Sequence, residues 1–211
     1  MWKLTGWAIA AGLFLLGSLA AAPSALADGP MTMIRNSTDQ VIQILKDPVL
    51  KENLDLREKR LWDTISTHFD FEEMARRSLG LHWRDRTPQE QGEFVDLFSH
   101  LLHKSYVGRI AQYTDETVAY VGEDVSGPRA EVRTVLSRKG AEISIEYRLL
   151  QKSSNWVIYD VVIEGVSLVN NYRNQFNRIV VSSGYKELVK RMRTKWDELI
   201  KESEKPKKGS T

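Results

Sequence analysis

The run Asn155-Trp-Val-Ile-Tyr-Asp-Val-Val-Ile-Glu-Gly-Val-Ser-Leu-Val-Asn-Asn-Tyr-Arg-Asn-Gln-Phe176 decides how the rest of the chain is read. From Trp156 to Ile163 nearly every residue is apolar or aromatic in both alternating registers. Val157, Tyr159, Val161 and Ile163 fall on one face, Trp156, Ile158 and Val162 on the other. A strand of that kind is covered on both sides, so it is predicted to be central. Gly165 then breaks the extended pattern, and Ser167 is placed to cap a helix. Leu168, Val169, Tyr172 and Phe176 carry an apolar stripe at helical spacing back towards the sheet.

Upstream of this stretch the period is two. Thr117 to Val121, Arg129 to Ser137, Glu142 to Leu150 and Trp156 to Glu164 read as consecutive strands. Ser126-Gly127-Pro128, Arg138-Lys139-Gly140 and Ser153-Ser154-Asn155 punctuate them, and such short turns imply an antiparallel meander. In the third strand Ile143, Ile145, Tyr147 and Leu149 alternate with Glu142, Ser144, Glu146 and Arg148, so one face is predicted inside and the other in water.

Helices flank the meander. Ile34, Val41 and Leu45 keep helical spacing up to Asp47-Pro48. A second helix starts near Asn53, with Leu54, Leu61, Ile65 and Phe69 on its apolar side and Asp55, Arg57, Glu58, Lys59 and Arg60 on its polar side. The mixed signs of that polar side favour packing on a sheet over lying on a membrane, where Lys and Arg would dominate. Phe71 to Leu79 reads as a short helix with Gly80 as its C-cap. Thr87-Pro88-Gln89-Glu90 forms a capping box with Pro at the first helical position. The helix it opens is predicted to reach about Tyr113, with Phe94, Leu97, Phe98, Leu101, Leu102, Tyr106 and Ile110 as one wide stripe. A last helix runs from Tyr185 to about Ile200. Helices, meander, helices make an α+β fold: a curved antiparallel sheet of four strands or slightly more, packed by helices.

The ends are different in kind. Lys3, the apolar run Leu4 to Ala22 and the small-x-small site Ala25-Leu26-Ala27 read as a cleaved signal peptide over residues 1–27. The run is about long enough to anchor in a bilayer, but Pro23 and the Ala-x-Ala site favour removal. Residues 28–200 then form one domain, and 201–211 a disordered charged tail. With 30 Lys+Arg against 28 Asp+Glu the chain is too balanced for a dedicated nucleic-acid binder. It has no cysteine, which excludes acylation on Cys and disulfides.

Candidate catalytic and metal groups are sparse. His100 and His103 lack the spacing of a zinc motif and are expected to be solvated. Ser167 lacks the second Gly of a nucleophile elbow, since Val169 stands there, and reads as an N-cap. Asp160 sits inside an apolar strand and requires a partner, Arg173 or a backbone donor. The alternative for Asp160, beside Tyr159, is a general base in an isomerase-like exported enzyme acting on a hydrophobic substrate. No catalytic residue, metal site or cofactor is assigned.

The opening run, written Trp-x-x-Tyr-Asp-Val-x-x-Glu-Gly-Val-Ser-Leu-Val-x-x-Tyr-Arg-x-x-Phe, resembles the signature of the MlaC/toluene-tolerance family of periplasmic phospholipid carriers from Gram-negative bacteria. Asp70-Phe71, Met74, Leu79-Gly80 and Trp83 resemble a second block of that family. Thr87-Pro88, Gln91, Phe94, Phe98, Leu101-Leu102 and Tyr106 resemble a third. The resemblance implies a cone of the nuclear-transport-factor-like kind enclosing an apolar cavity. It implies a non-enzymatic, monomeric carrier with a phospholipid ligand. It also implies two partners, an inner-membrane ABC transporter complex with a lipid-binding ring and an outer-membrane lipoprotein-porin complex. The lipid-binding residues expected on that basis are Phe94, Phe98, Leu101 and Tyr106 on the long helix and Ile143, Ile145 and Tyr147 in the third strand. Val161, Ile163, Val166, Leu168 and Tyr172 complete the set. Gly92 stands where many relatives carry a basic residue.

Overall fold

A computed structural model describes residues 28–113, 116–138 and 140–204. Residues 1–27, expected to be a signal peptide, lie outside the described residues. Helix α1 (Pro30–Lys46) is followed by α2 (Pro48–Glu52), α3 (Leu54–Ser66), α4 (Phe71–Leu79) and α5 (Pro88–Leu102). A π-helical turn (His103–Val107) and a last short turn, α6 (Gly108–Ile110), extend α5. Strands β1 (Thr117–Ser126), β2 (Arg129–Arg138), β3 (Ala141–Lys152), β4 (Asn155–Ile163) and β5 (Val166–Ser167) come next. Helices α7 (Leu168–Ser183) and α8 (Tyr185–Glu204) close the chain.

The strands pair in sequence order as an antiparallel sheet, β1-β2-β3-β4-β5. The fifth strand is the short return after Glu164 and Gly165, whose φ values of 49° and 77° make a tight two-residue turn. Local signals set the helix ends as predicted. Thr87 and Glu90 form the reciprocal capping box, and Ser167 caps α7 through a 3.0 Å bond from the Asn170 N–H. Helix α8 runs to Glu204, four residues into the expected tail, because Lys201, Glu202 and Glu204 are good helix formers. The rest of that tail lies outside the described residues.

Two details of register differ from the sequence reading, and both bear on where the inner face lies. In β4 the pairing with β3 slips, so that Leu149 faces Ile158 and Arg148 faces Asp160, leaving Tyr159 as an extra, bulged residue. The bulge breaks the simple alternation. Ile158, Val161 and Ile163 therefore share the inner face, whereas Asp160 and Tyr159 do not. In the long helix the π turn inserts an extra residue per turn after Leu102 and rotates the residues beyond it about the helix axis. One predicted stripe thus becomes two.

The first of these stripes builds the helical core. Phe94 and Phe98 are fully buried against Phe176, with ring centroids 5.7 and 6.0 Å apart and near-perpendicular planes, and Tyr172 meets Phe98 in the same way at 5.2 Å. Met74, Leu79, Leu101, Leu188 and Met192 fill the remaining space. A second cluster joins the first turns of α1 to the sheet, Met33 and Ile34 packing on Ala130, Val132, Leu149 and Ile158. This closes one end of the space between α1 and the sheet.

Candidate functional site

Between the sheet's inner face and helices α1, α3 and α6 lies a cavity of about 410 Å³. That is within the ~300–1,000 Å³ range of small-molecule sites. Its walls are mostly aliphatic and aromatic: Ile34, Val41, Ile42 and Leu45 from α1, Trp62 and Ile65 from α3, and Phe69, Phe71 and Met74 from the next turn and α4. The π turn and α6 add Tyr106, Val107 and Ile110. The sheet supplies Val118, Thr134, Leu136, Ile145, Tyr147, Ile158, Val161 and Ile163, and Leu168 opens α7 at the margin.

Two hydroxyls of the wall are bonded to backbone carbonyls. Thr134 Oγ1 donates to the Ile145 carbonyl at 3.2 Å, and Thr38 Oγ1 to the Ile34 carbonyl at 2.8 Å. Tyr147, bonded to Thr134, has its hydroxyl pKa pushed up to about 12 by burial. Its side chain keeps accessible surface while lying deep in the molecule, as a group facing an internal void does. Burial likewise raises the Tyr106 and Tyr172 hydroxyls.

Of the residues expected from the sequence, Tyr106, Ile145, Tyr147, Val161, Ile163 and Leu168 line this cavity. Phe94, Phe98, Leu101 and Tyr172 belong instead to the helical core, because they precede the π turn or face it from α7. Ile143, opposite Leu136, lies beyond the lining on the same strand face, and Val166 is exposed after the tight turn. Sequence reasoning missed the contribution of α1, α3 and α4. Ile34, Val41, Leu45 and Ile65 were legible as apolar stripes, but a stripe reports burial and not whether it meets a void.

Three further residues, Arg57, His103 and Tyr159, depart from expectation, and Asp160 meets one of its two alternatives. Arg57, placed on a polar face, is 3 % exposed. Its Nη2 donates to the carbonyl oxygens of Leu45 at 2.6 Å and Tyr113 at 3.2 Å, tying the end of α1 to the end of the long helix. His103, expected in solvent, stacks on Trp62 at 4.3 Å, and burial lowers its pKa to about 4. Asp160 takes the second of its two expected partners, a backbone donor, and not Arg173, which bonds Asn170. It accepts from the Ser167 hydroxyl at 2.6 Å and the Val169 N–H at 3.0 Å, with Arg148 at 3.5 Å, fixing the β4–α7 junction. Tyr159 lies under the Arg77 guanidinium at 4.2 Å, so the acid and the phenol of the enzymatic alternative are both absent from the cavity wall.

A cavity between a curved sheet and its helices, walled mostly by aliphatic and aromatic side chains, suits a hydrophobic molecule. The family model described as MlaC protein matches residues 35–194. The chain belongs to the MlaC family. Among solved structures, a phospholipid-binding protein from Ralstonia solanacearum in complex with a phospholipid superposes with a TM-score of 0.76 at 26% identity. The match covers 82% of this chain and 99% of that one.

Proposed function

We propose that residues 28–200 form one lipid-binding domain that carries a phospholipid through the periplasm after removal of a signal peptide over 1–27. The observation that carries this reading is the cavity, about 410 Å³ and walled almost entirely by aliphatic and aromatic side chains. The protein acts as a monomeric, non-enzymatic carrier within an Mla-type ABC transport system that maintains outer-membrane lipid asymmetry and contributes to toluene tolerance. It exchanges lipid with an inner-membrane ABC transporter complex bearing a lipid-binding ring and with an outer-membrane lipoprotein-porin complex. Both Asp160 oxygens are held by structural donors, which favours this reading over the isomerase-like enzyme.

The energetics suit a shuttle. A two-tailed lipid has roughly thirty methylenes, each worth ~0.8 kcal/mol when kept from water, so unaided crossing of an aqueous space is prohibitive. A carrier has only to match the membrane's apolar environment, since much tighter binding would prevent release. Native mass spectrometry of gently purified protein, with lipid extraction, tests the reading. Near-stoichiometric phospholipid is expected. Apo protein alone, with no uptake from liposomes, would contradict it.

A further inference from the structure

Most of the cavity wall is uncharged, and its charged residues, Lys46, Arg109 and Glu116, come from one end. The other end is stoppered by Met33 and Ile34 on Ala130, Val132, Leu149 and Ile158, so the charged end is the mouth. The strand register agrees. Ile163, lining the cavity and 38 % exposed, faces Ile145, which faces Thr134, one step from Leu136 and Val118. The strand ends nearest Glu116 and Arg138 therefore surround the opening.

The charges at this mouth are not matched. Glu116 is paired with Arg138 at 3.0 Å, and the Arg138 guanidinium also covers the Tyr113 ring at 5.0 Å. Lys46 and Arg109 are exposed, and neither has a side-chain ion pair or hydrogen bond among the described residues. The two segments that carry them are nonetheless tied together. Lys46 directly follows Leu45, and Arg109 lies one turn before Tyr113; the two carbonyls at Leu45 and Tyr113 share the single nitrogen Arg57 Nη2. A buried arginine with no role in the cavity wall thus joins the end of α1, which carries Lys46, to the end of the long helix, which carries Arg109.

We infer that Lys46 and Arg109 bind the phosphodiester of the carried lipid, the tails lying on the apolar wall and the headgroup outside. The inference rests on the carrier reading above and adds to it the two residues that hold the phosphate, so that a phospholipid is taken in preference to an uncharged diacyl lipid of the same chains. Guanidinium and ammonium donors to phosphate make the stronger, charge-assisted kind of hydrogen bond. Such bonds at a cavity rim select the lipid that brings a phosphate without adding apolar affinity that would slow release. The same pair of cations could take free phosphate, and the test separates the two sources.

The experiment uses the mature chain and the variant Lys46→Gln/Arg109→Gln, both sites being exposed. Uptake from vesicles is measured with phosphatidylglycerol and with diacylglycerol of identical chains, and inorganic phosphate is titrated onto protein with and without lipid. The wild type should prefer phosphatidylglycerol about ten-fold, as for one or two charge-assisted bonds, and the variant should lose most of that preference. Diacylglycerol uptake serves as the reference for fold and cavity. A variant that keeps the full preference overturns the inference and leaves the carrier reading standing. Wild type that takes up neither lipid overturns both. Phosphate that binds lipid-filled protein as well as empty protein, through the same two residues, reassigns the site to free phosphate and overturns the headgroup role.

Discussion

The helical core around Phe98 and the cavity around Ile145 are built from the same kinds of side chain, yet one is filled and the other is not. In the core, Phe94, Phe98, Tyr172 and Phe176 meet edge to face and leave no room. Farther along the same helix, Tyr106 and Val107 in the π turn and Ile110 after it face the cavity across from Trp62 and the sheet. Apolar patterning therefore reports removal from bulk water, whereas packing against a partner depends on where a register shift directs each residue. Substitutions in the two regions should behave differently.

The filled region is the more sensitive. Phe98→Ala should lower stability by about 3–5 kcal/mol in chemical denaturation, because a fully buried ring is lost and a void created. A loss below ~1 kcal/mol would mean that the two regions are packed alike.

Next comes the junction between them. Asp160→Ala removes the acceptor of the Ser167 hydroxyl and the Val169 N–H and should cost about 1–3 kcal/mol. Lipid bound per folded molecule should stay at the wild-type level, since Asp160 does not line the cavity. Turnover of a hydrophobic substrate that vanished with Asp160→Asn, the fold intact, would restore the enzymatic alternative.

A weaker effect is expected at His103, which stacks on the cavity-lining Trp62. Its pKa falls from 6.5 to about 4, first by burial and then by the nearby charges of Lys104 and His100. Between those values the unfolded chain binds a proton that the folded chain does not. Stability from this site is therefore complete above pH 6.5 and lost progressively as pH drops towards 4. His68, lowered by burial as well, adds to the same trend, so the slope is read as the difference between wild type and His103→Phe. Identical slopes would place His103 in solvent.

Legibility in the sequence depended on whether a feature is local. The capping box at Thr87 and Glu90, the Ser167 cap, the Gly80 C-cap and the meander are local, and local chemistry placed them within a few residues. The bulge at Tyr159 and the π turn at His103–Val107 carry no comparable mark, because each is imposed by packing on both sides of the element. That is why Ile145 and Tyr147, on a regularly alternating strand, line the cavity, whereas Phe94, Phe98 and Leu101 pack in the helical core. Arg57 was hidden for a similar reason: the Leu45 and Tyr113 carbonyls that bury it are joined only in three dimensions.

Whether the space beside Ile145 is a lipid cavity or ordinary core is decided by Ile145→Trp. Bound phospholipid per folded molecule and stability are measured on the same preparation. In a lipid cavity the indole takes space a tail would have used, so occupancy should fall while stability of the lipid-free protein is largely kept. A stability loss near the upper end of the ~1–3 kcal/mol expected of overpacking, with bound lipid at the wild-type level, would make the site ordinary core and refute the lipid cavity.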